Sequence, residues 1–184
     1  MKKRKKLKTT LYVFSILFLG GITTFAILYY NFYGKFEVDT QQFSHHIGYI
    51  DQEKALLNDT YTLCGDRSIY KIHHGAPDDA FEGSKKQFKN FILSNYKNES
   101  YTDSGYLNFR FLINCEGNAG WFEIIEMNLD LEESPLNKNM VKQLLKLTSD
   151  SRNWAVFSYK NQPRNYYMYI SYRIENGEIV EILP

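Results

Sequence analysis

The chain has 184 residues, a formal net charge of +1 and an aromatic content of 16%. That length suits one domain with its own core plus a membrane segment. Six of the 22 basic residues lie among the first eight, which leaves 16 against 21 acidic residues elsewhere. The remaining chain therefore carries about −5, and this charge argues against nucleic acid or anionic lipid as its partner.

The first element is an uncharged segment over residues 9–34. Its apolar part, about 20 residues long, would rise about 30 Å as a helix, which is the hydrocarbon thickness of a bilayer. The basic tail at 1–8 predicts a cytoplasmic N-terminus. An outer aromatic belt is predicted at Tyr29, Tyr30 and Tyr33. We therefore predict a single-pass anchor over 9–33 in an inner membrane, with a periplasmic C-terminal domain.

A cleaved signal peptide is the alternative interpretation of this segment. The apolar core of a signal peptide usually spans about 7–15 residues before a small-x-small cleavage site. Here the apolar run continues past Ala26 and no A-x-A follows, which favours a retained anchor. A lipoprotein is not expected, because the first cysteine is Cys64.

Residues 34–80 are predicted to form a juxtamembrane connector. A short amphipathic helix is predicted from apolar residues near helical spacing at Phe43, Ile47, Ile50 and Leu57. A short strand is expected near Ser68–Ile72. The histidine pairs at 45–46 and 73–74 have no third ligand at a recognisable spacing, so neither a metal site nor a cofactor is predicted.

Six elements are predicted after the connector. Ser84 suits the N-cap of the first helix with Gln87 as its capping-box partner, and Ser134 followed by Pro135 suits the start of the second. Asn176-Gly177 is a hairpin turn. The predicted elements are helices over 83–97 and 135–148 and strands over 105–113, 120–127, 165–174 and 178–183. This order, α-β-β-α-β-β, predicts an α+β fold with an antiparallel sheet and helices on one face.

The two cysteines, Cys64 and Cys115, would lie outside the membrane. An even cysteine count in an oxidising compartment favours a disulfide. A pair of buried free thiols is the alternative.

A set of short motifs stands in order over about residues 81–174. It begins with Phe81-Glu82-Gly83 and a helix ending Asn95-Tyr96, and continues in GYLNFRF at 105–111. The remaining motifs are the turn Asn114-Cys115-Glu116-Gly117, then Trp154, Asn161-Gln162-Pro163 and Tyr167–Tyr172. Together these motifs resemble the C-terminal domain family of TonB, and the resemblance implies a TonB-type domain over 81–184.

The chain departs from the energy-transducing members of that family in three places. The anchor has no histidine to couple to a proton-driven motor, and its polar residues are hydroxyls such as Ser15, Thr23 and Thr24. The connector has no proline repeats, and a cysteine stands in the hairpin turn. These departures point to a tether that holds the domain near the membrane.

The resemblance implies a binding module that recognises another envelope protein by strand addition to a sheet edge. The corresponding edge in this chain is Tyr166, Tyr167, Met168, Tyr169, Ile170 and Ser171. About half of these side chains must belong to the core, and residues 178–183 could fold back and cap the edge. Removing residues 177–184 would then expose it.

Two alternative functions remain, and a third is not expected. A genuine TonB-type energy transducer for outer-membrane transport and a structural accessory subunit of an envelope complex remain alternatives. An enzyme is not expected, because the chain has no G-x-S-x-G, H-E-x-x-H or Gly-rich phosphate motif and no convincing pair of carboxylates. No small-molecule substrate is indicated.

Overall fold

The computed structural model describes residues 2–36, 50, 55–56, 61–65, 69–70 and 80–183, with side chains from residue 11 onward. The chain divides into two compact units, Met1–Ile47 and Gly48–Pro184. Most of the predicted amphipathic helix and both histidine pairs lie outside the described residues.

The first unit consists of helix α1 (Lys2–Phe32) and a 3-10 turn at Gly34–Phe36. Within α1, the segment Leu11–Phe32 is long and apolar enough to cross a membrane. Three of its polar side chains bond within the helix: Thr23 and Thr24 donate to the carbonyls four residues earlier at 2.8 and 2.9 Å, and Asn31 does so at 3.0 Å. Inside a bilayer these groups would need no partner from another helix.

The second unit is an α+β domain with a mostly antiparallel sheet, as the sequence predicts, and this sheet has five strands. Its helices are α2 (Lys85–Asn95) and α3 (Lys138–Thr148), with a 3-10 turn at Ser151–Asn153. The strands are β1 (Ile69–Tyr70), β2 (Gly105–Ile113), β3 (Ala119–Met127), β4 (Ser158–Tyr159), β5 (Gln162–Pro163), β6 (Asn165–Glu175) and β7 (Glu178–Leu183).

The sheet order is β1-β6-β2-β3, and β7 also pairs with β6. All pairs are antiparallel except β1 with β6. Strand β6 runs beside β2 from Ile113↔Tyr166 to Gly105↔Ile174. The short β4–β5 hairpin forms a separate two-stranded sheet.

The main core lies between one face of the sheet and the two helices. Alternate residues of β2 supply it, and Leu107, Phe109, Phe111 and Ile113 are all fully buried, as the alternation predicts. Helix α3 contributes Met140, Val141 and Leu144 from its apolar stripe.

Trp154 is the centre of an aromatic cluster in this core. Its ring lies 5.3 Å from those of Phe81 and Phe88 and 5.1 Å from that of Phe111, while its indole N–H donates to the carbonyl of Thr148 at 2.9 Å. The cluster joins the chain before α2, α2 itself, β2 and the end of α3.

The two helices begin at different kinds of cap. Ser84 caps α2 as predicted, since its hydroxyl accepts the Gln87 N–H at 3.2 Å. Helix α3 begins at Lys138 with Asn137 as its cap, three residues later than Pro135. The reason is that Ser134 and Leu136 donate their backbone N–H groups to Glu126 on β3, which holds this stretch extended.

The second face of the sheet is also covered, although the sequence predicts helices on one face only. A smaller apolar cluster lies there and includes Leu112, Trp121 and Tyr167 from three neighbouring strands. The residues that cover it are Ile50, Ala55, Tyr61 and Leu63 from the connector. The compact unit therefore includes chain upstream of residue 81, where the sequence places the domain boundary.

Candidate functional site: the β6 edge and its strap

The six residues predicted to bind a partner lie in order along β6. Tyr166, Met168 and Ile170 point into the main core and are buried. Tyr167 belongs to the cluster on the second face, and Tyr169 packs against it half-buried. Recognition at this strand would therefore depend on backbone groups, with side chains of the second face as neighbours.

Strand β6 is not an open edge along its whole length. On the side away from β2 it pairs with β1 at residues 165–166 and with β7 at residues 171–175. Strand β7 pairs with Ser171 through its Leu183, and its other pairs lie at residues 172–175, beyond the edge predicted at 166–171. The C-terminal cap predicted from the sequence therefore covers one end of that edge. Residues 167–170 of β6 lie between these two pairings. Among the described residues, no strand pairs with Met168, Tyr169 or Ile170 on that side, and we call these three residues the window.

The cysteine pair and one asparagine hold the chain at the start of β6, just before the window. The sulfurs of Cys64 and Cys115 lie at disulfide distance, 2.16 Å, with 5.9 Å between the Cα atoms. The Asn165 side chain accepts the Cys64 N–H and donates to the Cys64 carbonyl, both at 3.0 Å. The amide of Asn165 therefore pairs with Cys64 as a strand residue would.

A buried ion pair lies beside these residues on the second face. The Arg110 guanidinium donates to the Tyr167 hydroxyl at 2.6 Å and lies 3.4 Å from a carboxylate oxygen of Glu123. Arg110 is 5% exposed. Because the charge is compensated and hydrogen-bonded, the group acts as a structural element of the face.

The connector residues that cover this face form a strap, by which we mean Ile50, Ala55, Leu56 and residues 61–64. Leu56 pairs with Phe122 on the outer edge of β3 through two backbone hydrogen bonds of 2.8 and 2.9 Å. Asn114 donates to the carbonyl of Thr62 at 3.1 Å. Both attachments lie toward the β2–β3 turn, the end of the sheet that also carries Cys115.

Tyr61 is the anchor residue of the strap. Its ring lies 5.9 Å from that of Trp121, which has a positive φ of 52° at the bulge where β3 slips against β2. The space it fills exists because residue 120 is glycine: a Cβ there would lie 2.3 Å from Cγ of Tyr61. The glycine and the bulge together make the niche for the strap.

Gly120→Ala is therefore expected to displace Tyr61 and to lower the free energy of unfolding by about 1–3 kcal/mol, the usual cost of overpacking. Denaturant unfolding of the full chain in mild detergent, followed by tryptophan fluorescence, measures this. Gly20→Ala is the matched control, since nothing lies within 4 Å of the Cβ it would add. Equal stability of Gly120→Ala and Gly20→Ala would contradict the conclusion that Gly120 makes the space for Tyr61.

Alkaline pH is expected to destabilise the domain through buried tyrosines. Burial raises the pKa of Tyr61 and of Tyr172 above the ordinary value of 10.0. The unfolded chain releases these protons near pH 10 and the folded chain holds them, so stability is intact below pH 10 and falls above it. The expected slope is about 1.4 kcal/mol per pH unit for each such tyrosine.

A phenolate absorbance titration, run beside unfolding at each pH, measures this loss. Tyr61→Phe is the control, because the Tyr61 hydroxyl has no hydrogen-bond partner among the described residues. The variant should keep its stability at pH 7 and show a shallower alkaline slope. An unchanged alkaline slope would show that Tyr61 does not contribute to the loss of stability above pH 10.

No group of three or more metal-ligating side chains is found in the part of the chain that the structure describes. Comparison of the chain with protein-family models, curated proteins and solved structures finds no match. The likeness to TonB-type domains therefore depends on the sequence motifs alone.

Sequence reasoning missed the strap and the pairing of β1 with β6. A signal for the strap was present, since Leu112 and Tyr167 are apolar residues on the sheet face for which no covering helix is predicted. One of their partners, Ile50, belongs to the apolar set in the connector from which a helix is predicted. No local pattern could have shown that Asn165 pairs with Cys64, because 101 residues separate them.

Proposed function

We propose that this chain is a non-enzymatic, membrane-anchored envelope protein whose sheet domain binds a protein partner by strand addition. The observation that carries the proposal is the window at Met168, Tyr169 and Ile170 on β6. A strand edge with unpaired backbone groups is a template for an extended segment of another chain. Strands β1 and β7 on either side would fix the register of that segment.

The order α2-β2-β3-α3-β6-β7 and the mostly antiparallel sheet support a TonB-type arrangement, with β1, β4 and β5 as additions. The anchor is proposed to cross the inner membrane with its basic tail in the cytoplasm, because short basic segments stay inside. The hydroxyls of Thr23 and Thr24 donate within α1, which favours a simple tether and not a helix coupled to a motor.

Site-specific photocrosslinking in the native membrane tests the proposal. A photoreactive amino acid at position 169 should crosslink one envelope protein, identified by mass spectrometry. The same amino acid at Lys142, exposed on α3, is the matched control and should not capture that protein. Capture of the same partner from both positions, or from neither, would contradict recognition at β6.

Removal of residues 178–184 is expected to lengthen the window to the end of β6 and to promote dimerisation through paired β6 edges. The shortened chain keeps the Gly177 turn, whose N–H donates to Asp103 at 2.8 Å. Light scattering of the detergent-solubilised chain measures its mass. Val180→Lys is the control, because this exposed residue can change while β7 stays in place. A shortened chain that stays monomeric would show that β7 does not guard the edge.

A further inference from the structure

The strap connects the membrane anchor to the sheet, so any pull between membrane and domain must pass through it. Tension entering from residue 49 meets the buried side chains of Ile50 and Ala55, then the Leu56–Phe122 hydrogen bonds and Tyr61. It then reaches Cys64. There the chain has two routes: onward to β1 and α2, or across the sulfur pair to Cys115.

The onward route is mechanically weak. Among the described residues, strand β1 pairs with β6 at two positions, Ile69↔Asn165 and Tyr70↔Tyr166. Beyond it lies α2, a helix of 11 residues whose successive hydrogen bonds would open one at a time under tension. Tension on this route would shear β1 past β6 across these two pairs and then unwind α2, removing Phe88 and Ile92 from the core.

The route through the bridge is strong. Cys115 follows the last residue of β2 by two positions, and β2 lies antiparallel to β6 along its whole length. A pull on the end of β2 against the far end of β6 runs parallel to the strands. Ladder hydrogen bonds lie across that direction, so they share the load and must fail together.

We propose that the strap and the Cys64–Cys115 bridge form a mechanical latch that carries tension from the membrane anchor directly into the β2–β6 ladder. Residues 65–104, with β1 and α2 among them, then bear no tension along the chain, because the bridge passes the load to β2 at its Cys115 end. The inference takes only the source of the load from the proposed function. It needs no partner for its test.

Magnetic tweezers on the full chain in a detergent micelle test the latch. Handles are attached through azide-bearing amino acids at position 35, after the anchor helix, and position 178, at the start of β7. The bridged chain should release the strap and then rupture in one high-force event. Cys64→Ser/Cys115→Ser should rupture at roughly half that force, because helix bonds open singly. Its contour gain should be about 170–180 Å longer, from the 51-residue separation of the cysteines.

A second pulling direction separates the latch from a general loss of stability. With handles at Glu116 and Glu178, both exposed, tension enters the ladder without the strap. The bridged and serine chains should then rupture at the same force. A serine chain that is equally weak in both directions, or equally strong from position 35, would overturn the proposal.

Gly120→Ala supplies a variant that keeps the bridge and loosens the strap. Pulled from position 35, it should lose force in the strap-release event and keep the force of the main rupture. A lower main rupture in this variant would assign the load to strap packing and overturn the role of the bridge. If the serine chain does not fold, the wild-type chain reduced while held under low force takes its place.

Discussion

Trp154→Ala is expected to lower the free energy of unfolding by about 3–5 kcal/mol, among the largest effects of any single substitution in this domain. The indole is 3% exposed and contacts three aromatic rings at 5.1–5.3 Å. Its removal leaves a large cavity and takes away the N–H that the Thr148 carbonyl accepts. Guanidinium unfolding of the full chain in detergent, followed by near-ultraviolet circular dichroism, measures the change.

Trp154→Phe is the matched control for the hydrogen bond. It keeps an aromatic ring in the cluster and loses only part of the volume and the indole N–H, so the expected loss is about 1–3 kcal/mol. If Trp154→Phe lost as much stability as Trp154→Ala, the effect would be assigned to the hydrogen bond to Thr148 and not to the volume of the indole.

Loss of the Cys64–Cys115 bridge is expected to cost about 4 kcal/mol in the chain-entropy account, because the bridge closes a long loop in the unfolded chain. The sequence separation is 51 residues. The melting temperature of Cys64→Ser/Cys115→Ser should fall by roughly 10–15 °C for a domain of this size. Thermal unfolding with and without a reductant measures it.

Reduction of the wild-type chain should reproduce the loss, and the serine variant should not respond to reductant. Intact mass under non-reducing conditions, before and after alkylation, reports whether the bridge is present. A loss of stability smaller than about 1 kcal/mol would mean that contacts of the strap, the Asn165 pair and β1 persist in the unfolded chain and restrict it as far as the bridge does.

The sequence determined the elements whose pattern is local. The uncharged run at 9–34, the alternation in 105–113 and the apolar stripe of α3 each carry their own periodicity, and the structure has α1, β2 and α3 at those places. The Asn176-Gly177 turn supplies the positive φ angles that a tight hairpin needs, and β6 and β7 meet there. These features follow from side-chain spacing and backbone sterics within a few residues.

Long-range packing decided what covers each face and edge of the sheet. The connector residues Ile50, Ala55, Tyr61 and Leu63 cover the second face, because Leu112, Trp121 and Tyr167 leave apolar area there. Of these four, Ile50 belongs to the apolar set from which a helix is predicted. Likewise, the start of α3 moved to Lys138, since Glu126 of β3 captures the N–H groups of Ser134 and Leu136. Partners that lie far apart in sequence leave no periodic pattern.

The candidate site also combines features that the local sequence determines with features that only long-range packing decides. Its strand, its cysteines and the strand that caps it could be predicted from composition, turn chemistry and cysteine count. The width of the window at Met168–Ile170 was set by the tertiary structure, where β1 and β7 approach β6 from opposite ends. Edge exposure is a property of neighbours in space, and burial of backbone groups is decided only when the strap, β1 and β7 are in place.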